Sequence, residues 1–134
     1  MPVMVASTAM AIRANHVYVS APNTDLLIEK YAFKVISPRT KRNALVDYLL
    51  TSLAEAMGRH AIGVILSGYD GDGTEGCKQI KAKGGITFSQ DESAEIDEMP
   101  HSAQAAGWID FVLPPSKISE QLARIASASP VKAT

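Results

Sequence analysis

A short apolar segment followed by a glycine-rich loop constrains the fold of this chain more than any other feature. Residues 61–66 are apolar without alternation, which is typical of a strand buried on both faces of a sheet. Four glycines follow within residues 68–76, and a helical pattern begins after them. A strand, a glycine loop and a helix form the first part of a parallel β-α-β unit. Because ligands collect beyond the carboxyl ends of strands in open α/β sheets, Asp70 and Asp72 on this loop are candidate functional residues.

The segments on either side of this unit alternate between strand and helix patterns. The patterns predict strands at 1–5, 16–20, 26–29, 32–36, 86–90 and 108–112, and helices at 44–57, 74–83, 101–106 and from Ser116 onward. Asn43 is predicted to cap the first helix. This order predicts an α/β fold with a doubly wound, mostly parallel sheet and flanking helices, a Rossmann-like three-layer sandwich.

Composition limits the classes of partner and site. The 134 residues predict one domain over 1–126 and a flexible tail over 127–134. A net charge of −1 gives no electrostatic footprint for nucleic acid, and the longest apolar runs are too short for membrane insertion. The single Cys77 excludes an internal disulfide and a cysteine zinc site, which predicts a cytoplasmic location.

The glycine loop has a purely structural interpretation and two ligand-binding ones. The glycines can simply allow a tight turn, with Asp72 or Thr74 capping the following helix. Residues 71–76 also match the dinucleotide fingerprint G-x-G-x-x-G, although the nearby carboxylates would repel a pyrophosphate, so this remains an alternative. A calcium loop is rejected, because Glu75 stands where that loop needs Gly and Lys81 stands where it needs Glu.

A catalytic interpretation also fits the loop. A carboxylate held at the carboxyl edge of a sheet can orient a histidine that activates a nucleophile. All three histidines, His16, His60 and His101, are expected at the surface, although His101 follows the next strand and could lie near the loop.

Several stretches in one order carry a resemblance to a known family: 61–76, 80–91, 99–103 and 109–115, with 15–22 and 46–54 upstream. Together they closely resemble the CheB-type protein-glutamate methylesterase domain of bacterial chemotaxis, in the versions fused to methyltransferase and sensor modules. The resemblance covers residues 3–125 and implies a doubly wound, mostly parallel α/β domain.

The family uses a Ser-His-Asp triad and no metal or organic cofactor. The resemblance therefore implies hydrolysis of γ-glutamyl methyl esters on chemoreceptors, with release of methanol, and deamidation of glutamines there. The family's triad aspartate precedes the second glycine of the loop's Asp-Gly pair, and in Leu66-Ser-Gly-Tyr-Asp-Gly-Asp-Gly73 that position is Asp72. A backbone amide at the position of Tyr69 helps to form the oxyanion hole in this family.

The chain departs from the family pattern at the other triad positions. It contains neither the Gly-(Ala/Gly)-Ser-Thr-Gly-Gly stretch of the nucleophile nor the Gln-His motif of the base, and Ser7 is expected to be an ordinary loop residue. Tyr69 replaces a usual Met, Asp70 a usual Gly or Ser, and His101 a common Arg. We therefore expect a domain that lacks its amino-terminal part, including its first strand, and has no esterase activity alone.

The expected partners follow from this resemblance. They are a methylated chemoreceptor or similar signalling protein and a receiver or methyltransferase domain. An unpaired sheet edge also favours a homodimer. A non-catalytic signalling or interaction module with the same fold remains the main alternative function.

Overall fold

The protein has the mostly parallel α/β fold that the sequence predicts. The computed structural model describes residues 1–128. In chain order the elements are β1 (Val3–Val5), β2 (Val17–Val19), β3 (Asp25–Glu29), β4 (Ala32–Ile36), α1 (Leu45–Met57), β5 (Ile62–Ile65), α2 (Thr74–Ala82), β6 (Ile86–Gln90), α3 (Glu98–Ala105), β7 (Phe111–Leu113) and α4 (Pro115–Ala128). A 3-10 turn, Gly58–His60, joins α1 to β5.

The strands form three small sheets rather than one. Strands β5, β6 and β7 are parallel neighbours in that order, with Ile65 paired to Ser89 and Ser89 to Val112. Strands β1 and β2 form a separate parallel pair, and β3 and β4 form an antiparallel hairpin. Within residues 1–128, β5 pairs on one edge only, so the parallel sheet ends at the strand that leads into the glycine loop.

Strand β5 is buried on one face, whereas the apolar run predicted burial on both. Gly63 and Ile65 are buried, but Ile62 and Val64, which alternate with them, are half-buried. Helices α1 and α2 cover the first face so tightly that a Cβ on Gly63 would lie 2.8 Å from Cδ1 of Ile80. The described residues therefore leave the second face of β5 partly open.

Helix α1 links two hydrophobic clusters. Its Leu50 lies in the cluster beneath β5 and α2, which also contains Ile65 and Ile80. Its Leu49 packs against the second cluster, which is built around Phe33 of the hairpin. Because adjacent positions of one helix enter both clusters, α1 fixes the hairpin relative to the glycine loop.

Two glycines let α1 and α2 begin side by side. A Cβ on Gly76 would lie 2.7 Å from Cβ of Leu50, closer than real side chains approach. Gly73 has a φ of +102°, and a Cβ there would meet Ile65 at 2.6 Å. Gly76 therefore serves the close approach of α1 and Gly73 that of β5, and the amino-terminal ends of the two helices meet at the loop.

The carboxyl-terminal end differs from its prediction. Helix α4 runs to Ala128, two residues into the segment that is expected to be a flexible tail from 127, and 129–134 lie outside the described residues.

Helix α3 begins at Glu98, three residues before its predicted start. No helix among residues 1–128 is long and apolar enough to cross a membrane.

Candidate functional site

The carboxylate of Asp72 lies at the carboxyl edge of β5 and caps helix α1. Its Oδ2 accepts the N–H of Val46 at 3.0 Å, and its Oδ1 accepts the N–H of Asp47 at 2.8 Å. The residue is 9% exposed. The predicted caps are therefore wrong. Asp72 caps α1 rather than its own helix. Asn43 does not cap α1, because the N-cap residue is Ala44, whose own side chain forms no capping bond.

Asp47, in the first turn of α1, in turn caps helix α2. Its Oδ1 accepts the N–H of Gly73 at 2.9 Å and the N–H of Gly76 at 2.8 Å. Thr74, the other predicted cap, pairs its hydroxyl with Ser102 at 2.7 Å instead. Each helix is thus capped by a carboxylate from the start of the other, which joins the two helices at the loop.

Burial and neighbouring charge act on the groups around this junction. Desolvation by burial raises the pKa of Asp47, and the negative charge of Asp72 adds to the rise, although the amides of Gly76 and Gly73 oppose it. Desolvation also raises the pKa of the buried Cys77 thiol to about 12, with a contribution from Asp47. Cys77 is therefore a neutral core residue and not a nucleophile.

The loop between β5 and Asp72 is held by Ile96 and by the first residues of α3. The N–H of Gly68 donates to the carbonyl of Ile96 at 2.9 Å, and the N–H of Met99 donates back to the carbonyl of Gly68 at 3.1 Å. The N–H of Asp70 donates to Oε1 of Glu98 at 2.7 Å. These bonds fix the loop on both sides of Tyr69.

Tyr69 lies exposed in the middle of this fixed loop. Its side chain is 67% exposed, and its N–H donates to no acceptor within residues 1–128. Asp70 follows with a φ of +63°, a conformation that glycine adopts freely and aspartate tolerates. An aspartate therefore fits at this position, and its carboxylate accepts the N–H of Asp72 at 2.8 Å.

No histidine within residues 1–128 forms a hydrogen bond or an ion pair with Asp72. His16 packs on Tyr18 and bonds the carbonyl of Ala14, and His60 is exposed in the 3-10 turn. His101 is exposed on α3 and lines a separate cavity of about 130 Å³ with Gln104. Within residues 1–128 the candidate site therefore consists of a carboxylate and a loop amide, without a base.

The same geometry argues against dinucleotide binding. A pyrophosphate on this fingerprint would need the N–H groups at the start of α2, yet those of Gly73 and Gly76 already donate to Asp47. The glycines are explained by the approach of Leu50 and Ile65. In the described part of the chain, no three histidine, cysteine or acidic side chains are grouped so that they could hold a metal ion.

Sequence reasoning missed Asp47. Its only local signal is an acidic residue in the first turn of a predicted helix, which usually indicates a favourable interaction with that helix's own dipole. Here the carboxylate serves a different helix, 26 residues further along the chain.

Comparisons with known proteins agree with this architecture. The family model described as CheB methylesterase matches residues 1–122, and the chain belongs to this family. The crystal structure of the Thermotoga maritima CheB methylesterase catalytic domain superimposes with a TM-score of 0.79 at 27% identity, over 90% of this chain and 68% of that domain.

Curated relatives extend well beyond the matched region. A putative protein-glutamate methylesterase/protein-glutamine glutaminase of Leptospira interrogans is 39% identical over 118 residues, which are 85% of this chain and 61% of the relative. A protein-glutamate methylesterase/protein-glutamine glutaminase of Paramagnetospirillum magneticum is 35% identical over 96% of this chain and 38% of its own length. An uncharacterised 104.1 kDa protein of Rhodobacter capsulatus is 34% identical over 92% of this chain and 13% of its own. The chain thus spans about three-fifths or less of these relatives, which are larger proteins.

Proposed function

We propose that Asp72 is the acid of a protein-glutamate methylesterase and glutaminase site, and that the N–H of Tyr69 contributes to its oxyanion hole. The observation that carries the proposal is a buried carboxylate at the carboxyl edge of β5, fixed by the amides of Val46 and Asp47. The proposed substrates are γ-glutamyl methyl esters and glutamines of a chemoreceptor or a similar signalling protein.

The carboxylate is suited to orient an imidazole. A carboxylate has about four lone-pair sites, and two amides leave the others for a further donor. A histidine N–H held there would keep the tautomer that accepts a proton from a serine, and the negative charge would stabilise the imidazolium that forms. The proposed chemistry requires no metal or organic cofactor.

The loop amide supports the other half of the proposal. An oxyanion hole needs a donor that is fixed before the reaction and has no competing acceptor. The N–H of Tyr69 meets both conditions, because Gly68 and Asp70 on either side are bonded to the start of α3 and to Ile96 just before it. The exposed Tyr69 side chain would then border the proposed substrate.

The nucleophile and the base come from outside these 134 residues under this proposal. The sequence contains neither family motif, and within residues 1–128 no histidine bonds the carboxylate of Asp72. We therefore expect no turnover by the chain alone, and turnover when a segment that carries the serine and the histidine completes the domain.

A chimaera tests this function. These residues would be joined to the part of the Thermotoga maritima catalytic domain that they do not cover, and methanol release from a methylated receptor peptide would be measured. Asp72→Asn should lower kcat by about 10⁴-fold, as loss of the charged acid does in serine triads. Glu120→Gln, on the exposed face of α4, is the matched control. An Asp72→Asn chimaera that keeps full activity would remove Asp72 from the mechanism.

A second candidate function, an interaction module, is favoured by an exposed apolar face on the β1–β2 pair. Val3 pairs with Val17 and Val5 with Val19, and these four side chains are 66%, 41%, 60% and 48% exposed. Covered by a second copy, this face would give the expected homodimer, and covered by a receiver or methyltransferase domain it would give a hetero-complex. Sedimentation of the chain with and without Val5→Lys distinguishes a dimer, which the substitution should weaken, from a monomer.

The cytoplasmic location stays a prediction. It rests on the single Cys77, which is buried and free. Detection of the natural protein in fractionated cells would test it.

A further inference from the structure

The junction between α1 and α2 holds the peptide unit next to Asp72. The N–H of Gly73 belongs to the peptide group that joins Asp72 to Gly73, and it donates to Oδ1 of Asp47. The position of that peptide plane sets the direction in which the Asp72 side chain leaves the backbone. Asp47 therefore contacts the peptide unit that carries the Asp72 side chain through a hydrogen bond of its own carboxylate.

Two bonds of opposite direction connect the same two segments. The side chain of Asp47 accepts from the backbone at Gly73, and the side chain of Asp72 accepts from the backbone of Asp47. One hydrogen bond would let the segments rotate about each other, whereas this closed pair fixes both distance and orientation. A displacement of about 1 Å in a catalytic group can reduce the rate about 100-fold, so fixing matters at such a site.

Capping alone does not require an aspartate at position 47. Neutral Asn and Ser cap helices about as well as Asp. A charged group at position 47 is instead disfavoured by its burial and by the charge of Asp72. The charge of Asp47 strengthens its hydrogen bonds to the N–H groups of Gly73 and Gly76, which follow Asp72 in the chain.

We propose that Asp47 is the positioning residue of this site: its carboxylate fixes the start of α2 and thereby the direction of the Asp72 carboxylate. The structural part of this proposal stands on the hydrogen bonds of the chain itself. Its catalytic part rests on the proposed function of Asp72.

The first experiment uses the chain as it is and needs no activity. Amide exchange at Gly73 and Gly76 and the side-chain carboxyl ¹³C resonance of Asp72 would be recorded by NMR for Asp47→Ala and Asp47→Asn. Loss of the acceptor in Asp47→Ala should speed exchange at Gly76 by roughly 10- to 100-fold and move the Asp72 resonance. Asp47→Asn keeps an acceptor oxygen but loses the charge, so exchange at Gly76 should speed by a smaller but measurable factor and the Asp72 resonance should move less.

Glu75→Gln is the matched control for charge. Glu75 lies in the same first turn of α2, but its carboxylate bonds only the side chain of Gln79 within residues 1–128. We expect this variant to leave the Gly76 exchange rate and the Asp72 resonance unchanged. An Asp47→Ala protein with both signals unchanged would overturn the proposal. If that variant does not fold, an unchanged Asp72 resonance together with an unchanged Gly76 rate in Asp47→Asn would do so.

The second experiment is kinetic and uses the active chimaera. Asp47→Ala should lower kcat per folded molecule by roughly 100-fold with KM unchanged, and Asp47→Asn should restore kcat to within roughly tenfold. A purely structural role would lower the folded fraction and leave kcat per folded molecule as it is, which would refute the catalytic part. A chimaera without activity would defeat the proposed function, and the NMR experiment would still decide the role of Asp47.

Discussion

Replacing Asp72 by alanine should destabilise the protein whether or not Asp72 takes part in catalysis. The substitution removes the acceptor of two backbone amides, those of Val46 and Asp47, at a position that is 9% exposed. Water reaches this site poorly, so the first turn of α1 would lose its cap without a full replacement. The loss also opens one half of the junction with α2.

The magnitude follows from the two bonds. A hydrogen bond to a charged group contributes about 1.5–3 kcal/mol, and loss of a helix cap costs about 0.5–2 kcal/mol in measured proteins. Partial access of water and relief of the repulsion with Asp47 both reduce the loss. We expect Asp72→Ala to lower the free energy of unfolding by about 2–4 kcal/mol, out of a total of about 5–15 kcal/mol for a domain.

Urea unfolding at 25 °C, followed by circular dichroism, measures this change. Asp72→Asn keeps one acceptor oxygen and should lose about half as much, and Asp97→Asn, at an exposed position, should lose almost nothing. A loss below about 0.5 kcal/mol for Asp72→Ala would show that α1 does not depend on this carboxylate. Because the fold and the proposed chemistry share one side chain, activity comparisons should use the asparagine variant.

Three further predictions follow from the same region. Gly76→Ala gains about 1 kcal/mol of helix propensity, but its Cβ would lie 2.7 Å from Cβ of Leu50, so the net effect should be a loss of about 1–2 kcal/mol, read as a lower Tm. For Asp47, a pKa raised in the folded state means that protonation favours folding. Its contribution is present below pH 3.8 and is lost as pH rises through the raised pKa, so the Tm of the wild type should gain on that of Asp47→Asn as pH falls from 7 towards 4; a constant difference contradicts this. Cys77, with a pKa of about 12 and no exposed surface, should react with a thiol reagent at pH 8 only after unfolding, and rapid reaction of the native protein would contradict its burial.

Local patterns predicted most of the elements. The spacing of Leu45, Leu49, Leu53 and Met57 indicated α1, and the structure has that helix at Leu45–Met57. The apolar run before the glycines indicated β5, and the structure confirms the strand although not its burial on both faces. Helix ends and caps were less well predicted, because a cap depends on whichever acceptor lies near in space and that acceptor need not be near in sequence.

The sequence by itself determined the strand, loop and helix around Asp72 and the family to which the chain belongs. Both depend on residue types at fixed spacings, which the sequence contains directly. Only the tertiary structure decided that Asp72 caps α1 and that Asp47 caps α2. Those bonds join positions 25 and 26 residues apart, and they exist because Gly76 lets Leu50 approach until the amino-terminal ends of two helices share one junction.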